Sequence, residues 1–295
     1  MRPDLSFITI NYNGCKDTIE LIDSLQRVVH SISWEMVVVD NDSLRDEASW
    51  LSTTFAADQR VIIVRSDSNL GFAGGNNLGL RHANGKAFMF INNDTFVEED
   101  HFDRLLSRLH SSPTIGAVCP KIRFSDSPRL IQYAGFTPLS AITLRNRGIG
   151  CGEIDKGQYN QASQTAFAHG AALLFKPETL TLAGEMTECY FLYYEEMDWS
   201  ERIHSAGLQI WYEPAQTIFH KESQTTGQAS PLRTYYLTRN RLLFARRNRK
   251  GVTLYLSYLY LTCVVLTKDF ALNGLHRRFN LAMAALRGIW DFITL

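Results

Sequence analysis

Of the 295 residues, 45% are hydrophobic and 20% charged, and 30 Lys and Arg balance 30 Asp and Glu, so overall charge names no partner and no nucleic acid is expected. The length allows one large domain, or a medium one with an appendage, around a sizeable core. Cys15, Cys119, Cys151, Cys189 and Cys263 are scattered, odd in number and free of any C-x-x-C pair, which argues against a zinc site or disulfide framework and for a reducing compartment.

The chain opens Met1-Arg2-Pro3-Asp4 with no basic n-region, long apolar stretch or cleavage site, and is read as cytoplasmic. Leu5–Ile10 and Glu35–Asp40 are short runs rich in β-branched residues and predict strands; between them Asp17–His30 spaces Ile19, Leu21, Ile22 and Leu25 at helical intervals. Further strands are expected at Val61–Val64 and, after the Gly-rich segment Gly71–Gly85, at Ala87–Ile91. Strands alternating with helices predict a parallel sheet covered on both faces, with ligands at the carboxyl ends of its strands. Polar residues do follow each strand: Asn11 and Asn13, Asp40 and Asn41, Ser66 and Asp67, and Asn92 to Asp94.

Beyond Pro120 the pattern is irregular, and Gly148, Gly150, Gly152 and Gly157 predict a mobile lid or acceptor loop before a buried strand over Phe167–Phe175. Glu195–Ala206 reads as an amphipathic helix closed by Gly207, then come a strand over Gln209–Tyr212 and a turn at Pro214, with helix from Thr234 onward. Between Ser223 and Lys268 there is no Asp or Glu, but there are Arg233, Arg239, Arg241, Arg246, Arg247, Arg249, Lys250 and Lys268; this stretch should attract phosphates or an anionic surface.

Three groups can carry chemistry. Asn92-Asn93-Asp94 puts a carboxylate just past a buried strand, where it could hold a hard cation or simply bond its own turn. Glu195, Glu196 and Asp198 crowd one helical turn behind Tyr193 and Tyr194; such acids suit a helix N-terminus, and crowding with burial would also raise a carboxyl pKa toward that of a general base. Asn69–Asn77 opens a helix with N–H groups that could meet an anion, or is a tight loop packed on the sheet; it is neither G-x-G-x-x-G nor a P-loop. His220, alone at the end of an apolar run, takes any role from its neighbours.

In order along the chain, Ile8–Asn13, Val37–Ser43, Asn69–Asn77, Asn92–Asp94, Gly170-Ala171, Glu195–Asp198 and Arg239–Arg241 resemble the inverting family 2 glycosyltransferases of the GT-A fold, in particular the bacterial rhamnosyltransferase-like branch that builds surface polysaccharides. The resemblance covers nearly the whole chain. It implies an α/β fold, a Rossmann-like mixed but mainly parallel sheet flanked by helices, with a C-terminal helical extension. A catalytic domain over 1–225 is implied, its nucleotide-sugar half about 1–120 and its acceptor half about 121–225, followed by basic and apolar helices over 226–295.

By the same resemblance Asp40 contacts the nucleoside with Asn11 and Asn13, and Asn69, Gly75, Asn76 and Asn93 complete the donor side. Asn92-x-Asp94 stands where the family has D-x-D, with Asn for the first Asp. Asp94 is then the metal-binding carboxylate, with His220 as second ligand for Mg²⁺ or Mn²⁺, while Asn92 bonds ribose or sugar. Glu196 is the implied base, with Glu195 left open. Gly170, Ala171 and Asp198 are assigned to the acceptor side; Asp198 also caps or orients its helix, pairing with Arg202. Arg239 would hold the donor diphosphate or a lipid-diphosphate acceptor. The donor is a dTDP-, UDP- or GDP-sugar and the acceptor a glycan or lipid-linked glycan, chosen by Phe124–Gln164.

Val252–Thr267 is apolar but too short for a span of about 20 residues. Beside the basic run it predicts peripheral contact with the inner leaflet. Two other readings compete. One is a sugar nucleotidyltransferase, which would want a basic Gly-rich loop that Asn11–Lys16 lacks; the other is a non-catalytic nucleotide- or carbohydrate-binding subunit, which would need no base.

Overall fold

β-Branched apolar runs form the parallel half of one sheet: β1 (Leu5–Asn11), β2 (Trp34–Asp40), β3 (Val61–Arg65) and β4 (Ala87–Ile91). The computed structural model describes residues 2–221, 230–267 and 278–295. Among these, the other strands are β5 (Thr95–Phe96), β6 (Ile115–Phe124), β7 (Ile131–Tyr133), β8 (Ser163–Thr165), β9 (Ala172–Phe175) and β10 (Gln209–His220). The order is β3-β2-β1-β4-β9-β6-β10-β5, with β7 on β6 and β8 on β10. β9 runs antiparallel to both β4 and β6, whereas β10 runs parallel to β6, giving the mixed, mainly parallel sheet expected. The chain turns back across β1 on passing from β3 to β4, so the switch point lies where β1 and β4 end, the crevice where such sheets bind ligands.

Helices cover the sheet: α1 (Cys15–Val28), α2 (Glu47–Thr54), α3 (Gly71–His82), α4 (Phe102–His110), α5 (Pro177–Ala183) and α6 (Glu195–Ser205). β2 is buried along its whole length, and Leu21, Ile22 and Leu25 of α1 sit in the core with Phe7, Trp34 and Phe102. In α3 the glycines are packing devices: a Cβ on Gly79 would strike Ile8, and one on Gly75 would strike Ile10.

Two expected elements differ. The strand over Phe167–Phe175 shortens to β9, because Ala168 N–H donates to Ser200 Oγ and Ala171 N–H to His169 Nδ1 instead of joining the ladder. No turn breaks the chain at Pro214. β10 continues to His220 through a bulge between Glu213 and Thr217, where a proline without an N–H is tolerated.

The glycine-punctuated segment after β7 is tied down rather than loose. Gly150, Gly152 and Gly157 take positive φ, and Asp155 is held by Lys121 Nζ at 2.9 Å and by Arg123, while Lys121 also bonds Asn160. C-terminally, α7 (Pro231–Asn248) packs on α9 (Phe279–Thr294), whose Gly288 permits close approach: a Cβ there would lie 2.7 Å from the Tyr235 carbonyl. α8 (Gly251–Tyr260) runs on as a π-helical turn over Leu261–Leu266. Among the described residues no helix is long and apolar enough to cross a membrane. The expected boundary at 225/226, Ser223 and Lys268 lie outside the described residues.

Burial pushes the Asp155 carboxyl up, but hydrogen bonds from Lys121, the Gly157 N–H and Arg123 lower it from 3.8 to about 2. A depressed folded-state value stabilises the protein above the unfolded pKa and is lost as pH falls. Stability of the wild type should therefore drop between about pH 4 and pH 2. Asp155→Asn, which strands Lys121, should cost about 3–5 kcal/mol at pH 7 and flatten that acid limb, as read by urea melts across pH.

Candidate functional site

At the switch point the carboxyl ends of β1 and β2 are neighbours in register, Asn11 beside Asp40. Asn11 is fully buried. Its Nδ2 lies 2.9 Å from Asp40 Oδ1, 2.8 Å from Glu47 Oε2 and 3.3 Å from Ser43 Oγ, and its Oδ1 accepts from Thr18 Oγ1 at 2.7 Å. Asp40 Oδ1 also accepts from Ser43 Oγ. Asp40 Oδ2 is buried with no hydrogen-bond partner among the described residues, a state that costs about 1–3 kcal/mol. Asn13, exposed and left-handed at φ 55°, fixes the following loop through Leu44 N–H.

Asn41 links this corner to α3. Its side chain accepts from Leu70 N–H and donates to Asn69 Oδ1 and the Gly71 carbonyl. Gly71 N–H donates to Asn69 Oδ1 and Phe72 N–H to the Phe191 carbonyl, so these N–H groups are not presented to an anion. Asn76 is buried and donates to the Phe72 carbonyl, and Gly75 lies against Ile10. Of the two readings of Asn69–Asn77, these contacts favour the tight loop packed on the sheet at Gly71, Phe72 and Gly75.

Beyond β4, Asn93 Nδ2 donates to Thr18 Oγ1 and the Gly14 carbonyl, pinning the turn to α1. β5 then pairs antiparallel with the end of β10, Thr95 opposite His220, and this brings Asp94 to His220. His220 Nδ1 lies 2.9 Å from Gln132 Oε1, an acceptor, so Nδ1 carries the proton. Nε2 then turns its lone pair toward Asn92 Nδ2 at 3.4 Å and Asp94 Oδ1 at 3.2 Å. Two acceptors this close require a proton or a cation between them. Among the described residues no group of three or more His, Cys, Asp or Glu could hold a metal ion.

The acids of α6 lie behind a strained turn. Phe191, Tyr193 and Tyr194 all have positive φ, at 67°, 68° and 80°, at a cost of about 1–3 kcal/mol each. Tyr194, left-handed, is the N-cap of α6, and Glu195 and Glu196 are its first two residues. Glu195 is buried with Oε2 unpartnered among the described residues; burial first, then the charge of Glu196, raises its carboxyl well above the usual range. Glu196 is partly exposed and raised by burial. Gly170 borders it closely: a Cβ on Gly170 would lie 3.9 Å from Glu196 Cγ and 3.8 Å from the Phe72 ring. Ala171 is buried and its carbonyl accepts from Asn92 N–H, joining this loop to the turn that carries Asp94.

Two assignments change. Asp198 cannot face an acceptor: it is 1% exposed and receives Tyr190 OH, Thr187 Oγ1, Arg202, Arg247 and Asn248. Burial pushes its carboxyl up, but Arg247 and Asn248 hold it below its ordinary value. It ties α6 to α7. Arg239 is engaged by the Cys189 and Tyr190 carbonyls and lies over the Tyr235 and Tyr236 rings, bracing the turn before α6.

The glycosyl transferase family 2 pattern matches residues 6–176, more than half of the chain. The chain belongs to glycosyl transferase family 2. The low-salt glycan biosynthesis hexosyltransferase Agl10 of Haloferax volcanii is 26% identical over 252 residues, covering 82% of this chain and 76% of the relative. Among solved structures, the mannosyltransferase PcManGT of Pyrobaculum calidifontis, in complex with GDP-Man and Mn²⁺, superposes with a TM-score of 0.61 at 17% identity, over 99% of this chain and 88% of that one. Residues 1–349 of S. aureus TarS with UDP-GlcNAc give 0.60 at 14%, over 98% and 80%. At such identities the structures establish the fold, which is GT-A.

Several residues of this family 2 site escape sequence reasoning. Glu47 bonds Asn11 and the Cys15 N–H, and Gln132 sets the His220 tautomer, yet Glu47 sits in an unremarkable polar stretch and Gln132 stands alone in the apolar run of β7. His169 stacks on Phe136 and lies edge-on to His220, and desolvation, then His220, lowers its pKa to about 3. Its position directly before Gly170-Ala171 was the available signal.

Proposed function

We propose that this family 2 enzyme transfers a hexosyl group, with inversion, from a nucleoside-diphosphate sugar to a hydroxyl of a glycan or lipid-linked glycan in cell-surface polysaccharide synthesis. The observation that carries the reading is the Asp94–His220 pair, two acceptors 3.2 Å apart at the switch point of a nucleotide-binding sheet. The donor set suits a hard divalent cation, Mg²⁺ or Mn²⁺: one carboxylate and one imidazole with its tautomer fixed by Gln132, the remaining ligands to come from the donor diphosphate and water. When bound, such an ion supplies charge neutralisation for the departing diphosphate.

The chain's own residues do the rest. Asp40 is the nucleoside contact in this reading; it is fully buried, with one oxygen locked by Asn11 and the other unpartnered, so the nucleoside base reaches it only as the corner opens. Asn92 orients ribose or sugar. Glu196, partly exposed against Gly170 and raised by burial, takes the acceptor hydroxyl proton as that oxygen attacks the anomeric carbon; Glu195 is pushed up by burial and then by the charge of Glu196, so the pair favours a single charge. Residues 1–120 thus serve the donor and 121–225 the acceptor. The rhamnosyltransferase-like branch favours dTDP-rhamnose, and the solved neighbours with GDP-Man and UDP-GlcNAc keep GDP- and UDP-hexoses in the set.

Peripheral contact with an inner leaflet is also part of this reading. α8 and α9 meet through Tyr258 and Phe292 and expose Val252, Tyr255, Leu259, Phe279, Met283 and Trp290, with Arg246, Lys250, Arg278 and Arg287 nearby in sequence. An apolar face with basic flanks suits anionic headgroups.

Calorimetry with dTDP, UDP and GDP should show one nucleotide binding in a Mn²⁺-dependent manner, with that dependence lost in Asp94→Ala and in His220→Ala; a folded protein that binds none of them sinks the donor site. Glu196→Gln should lower kcat by about 10²–10⁴ while nucleotide affinity holds. Wild-type turnover in both Glu196→Gln and Glu195→Gln would remove the base assignment. In flotation at low salt the protein should rise with phosphatidylglycerol-containing vesicles and be released by high salt or by Trp290→Glu. Failure to float at low salt ends the membrane reading.

A further inference from the structure

Asn240 is fully buried in α7, outside the segment matched by the family pattern. Its Oδ1 accepts from Arg239 Nε at 2.9 Å, which fixes the amide so that Nδ2 faces the other way. There it meets three backbone carbonyls: Tyr190 at 3.0 Å, Leu192 at 2.7 Å and Tyr193 at 3.0 Å. Three carbonyls converge on one point because the residues between and after them, Phe191, Tyr193 and Tyr194, are held at positive φ.

L-residues leave that conformation when nothing opposes them. What opposes relaxation here comes mainly from α7: Asn240 itself, Arg239 on the Cys189 and Tyr190 carbonyls, Tyr236 stacked on Phe191 at 5.3 Å, and Arg241 donating to Tyr194 OH. The strained run ends at the N-cap of α6, one residue before Glu195. Glu195 Oε2 has no hydrogen bond among the described residues, and the donors that do lower this carboxyl are the backbone N–H groups of Tyr193 and Glu195, so its placement follows the backbone that carries it.

We propose that Asn240 is a positioning residue for the transfer reaction, fixing the acid pair Glu195–Glu196 by holding the positive-φ turn 190–194 through its carbonyls. The inference rests on the reading of that pair as the site of the base. It assigns a role in the chemistry to the C-terminal extension, separate from any contact that extension makes with a membrane.

The test compares full-length wild type, Asn240→Ala and Asn240→Asp, the last placing a carboxylate against three carbonyls. Hydrogen exchange should accelerate in peptides spanning 189–197. kcat should fall between about ten- and a hundredfold with donor KM within twofold, since misplacing a reacting group costs rate rather than remote binding. The acid limb of kcat/KM should move to lower pH as hydration of the loosened turn relieves the burial that raises Glu196. If Asn240→Ala does not fold, Asn240→Ser, which keeps one donor, is read by the same measurements. A folded variant with unchanged exchange over 189–197, or with wild-type kcat and acid limb, overturns the proposal. Failure of the base reading shows separately, as wild-type turnover in both Glu195→Gln and Glu196→Gln.

Discussion

The amide of Asn11 is the interaction on which the carboxyl-terminal corner of β1 and β2 depends. A parallel sheet delivers the carboxyl ends of its strands to one edge, and there β1, β2, α1 and α2 would leave buried polar groups unmatched. Asn11 matches them at once, reaching Asp40, Ser43 and Glu47 with its NH₂ and accepting from Thr18. No residue lacking both a donor and an acceptor could do this. Asp40 is left with one oxygen anchored and one free, so its direction is set before any ligand arrives.

The acid pair depends on a second, mechanically different constraint, a turn held at positive φ. The two are joined by α3. Asn41 bonds Asn69, Leu70 and Gly71, and the next residue, Phe72, donates to the Phe191 carbonyl within the strained turn. Gly71 makes the join possible: it sits at φ 69°, and any Cβ would run into the Phe191 carbonyl. The glycine-rich segment therefore acts as a brace between donor corner and acid turn, which explains glycines there without an anion.

Unbroken apolar runs made β1, β2 and β4 legible, since these strands are buried along nearly their whole length, and helical periodicity did the same for α1 and α6, which bury one face. The polar residues after each strand were legible for the same reason, because the parallel topology dictates where they emerge. What pairs with what was not. Asp94 meets His220 only because β5 docks on β10 across 126 positions of sequence, and β10 reaches that far only because a bulge absorbs Pro214. Local signals also misled: Asp198 shares a turn with Glu195 and Glu196, but its partners Arg247 and Asn248 come from a helix some fifty residues on.

Those three acids show how environment, not residue type, separates roles. All stand in the first turn of α6 and feel the same helix dipole, which favours charge on each, so the dipole cannot distinguish them. Burial raises all three. Asp198 is brought back below its ordinary value by Arg247, Asn248 and Tyr190, a charged tie between helices. Glu195 has only the backbone N–H groups of Glu195 and Tyr193 against its burial and the neighbouring charge of Glu196, so it is pushed well up. Glu196 is raised by burial, yet it keeps some exposure and lies beside Gly170. A carboxylate that must take a proton and then release it needs an elevated pKa and an open approach together. Glu196 is the acid of the three whose surroundings provide both, and the neutralising pressure on Glu195 keeps the pair from carrying two charges in one small space.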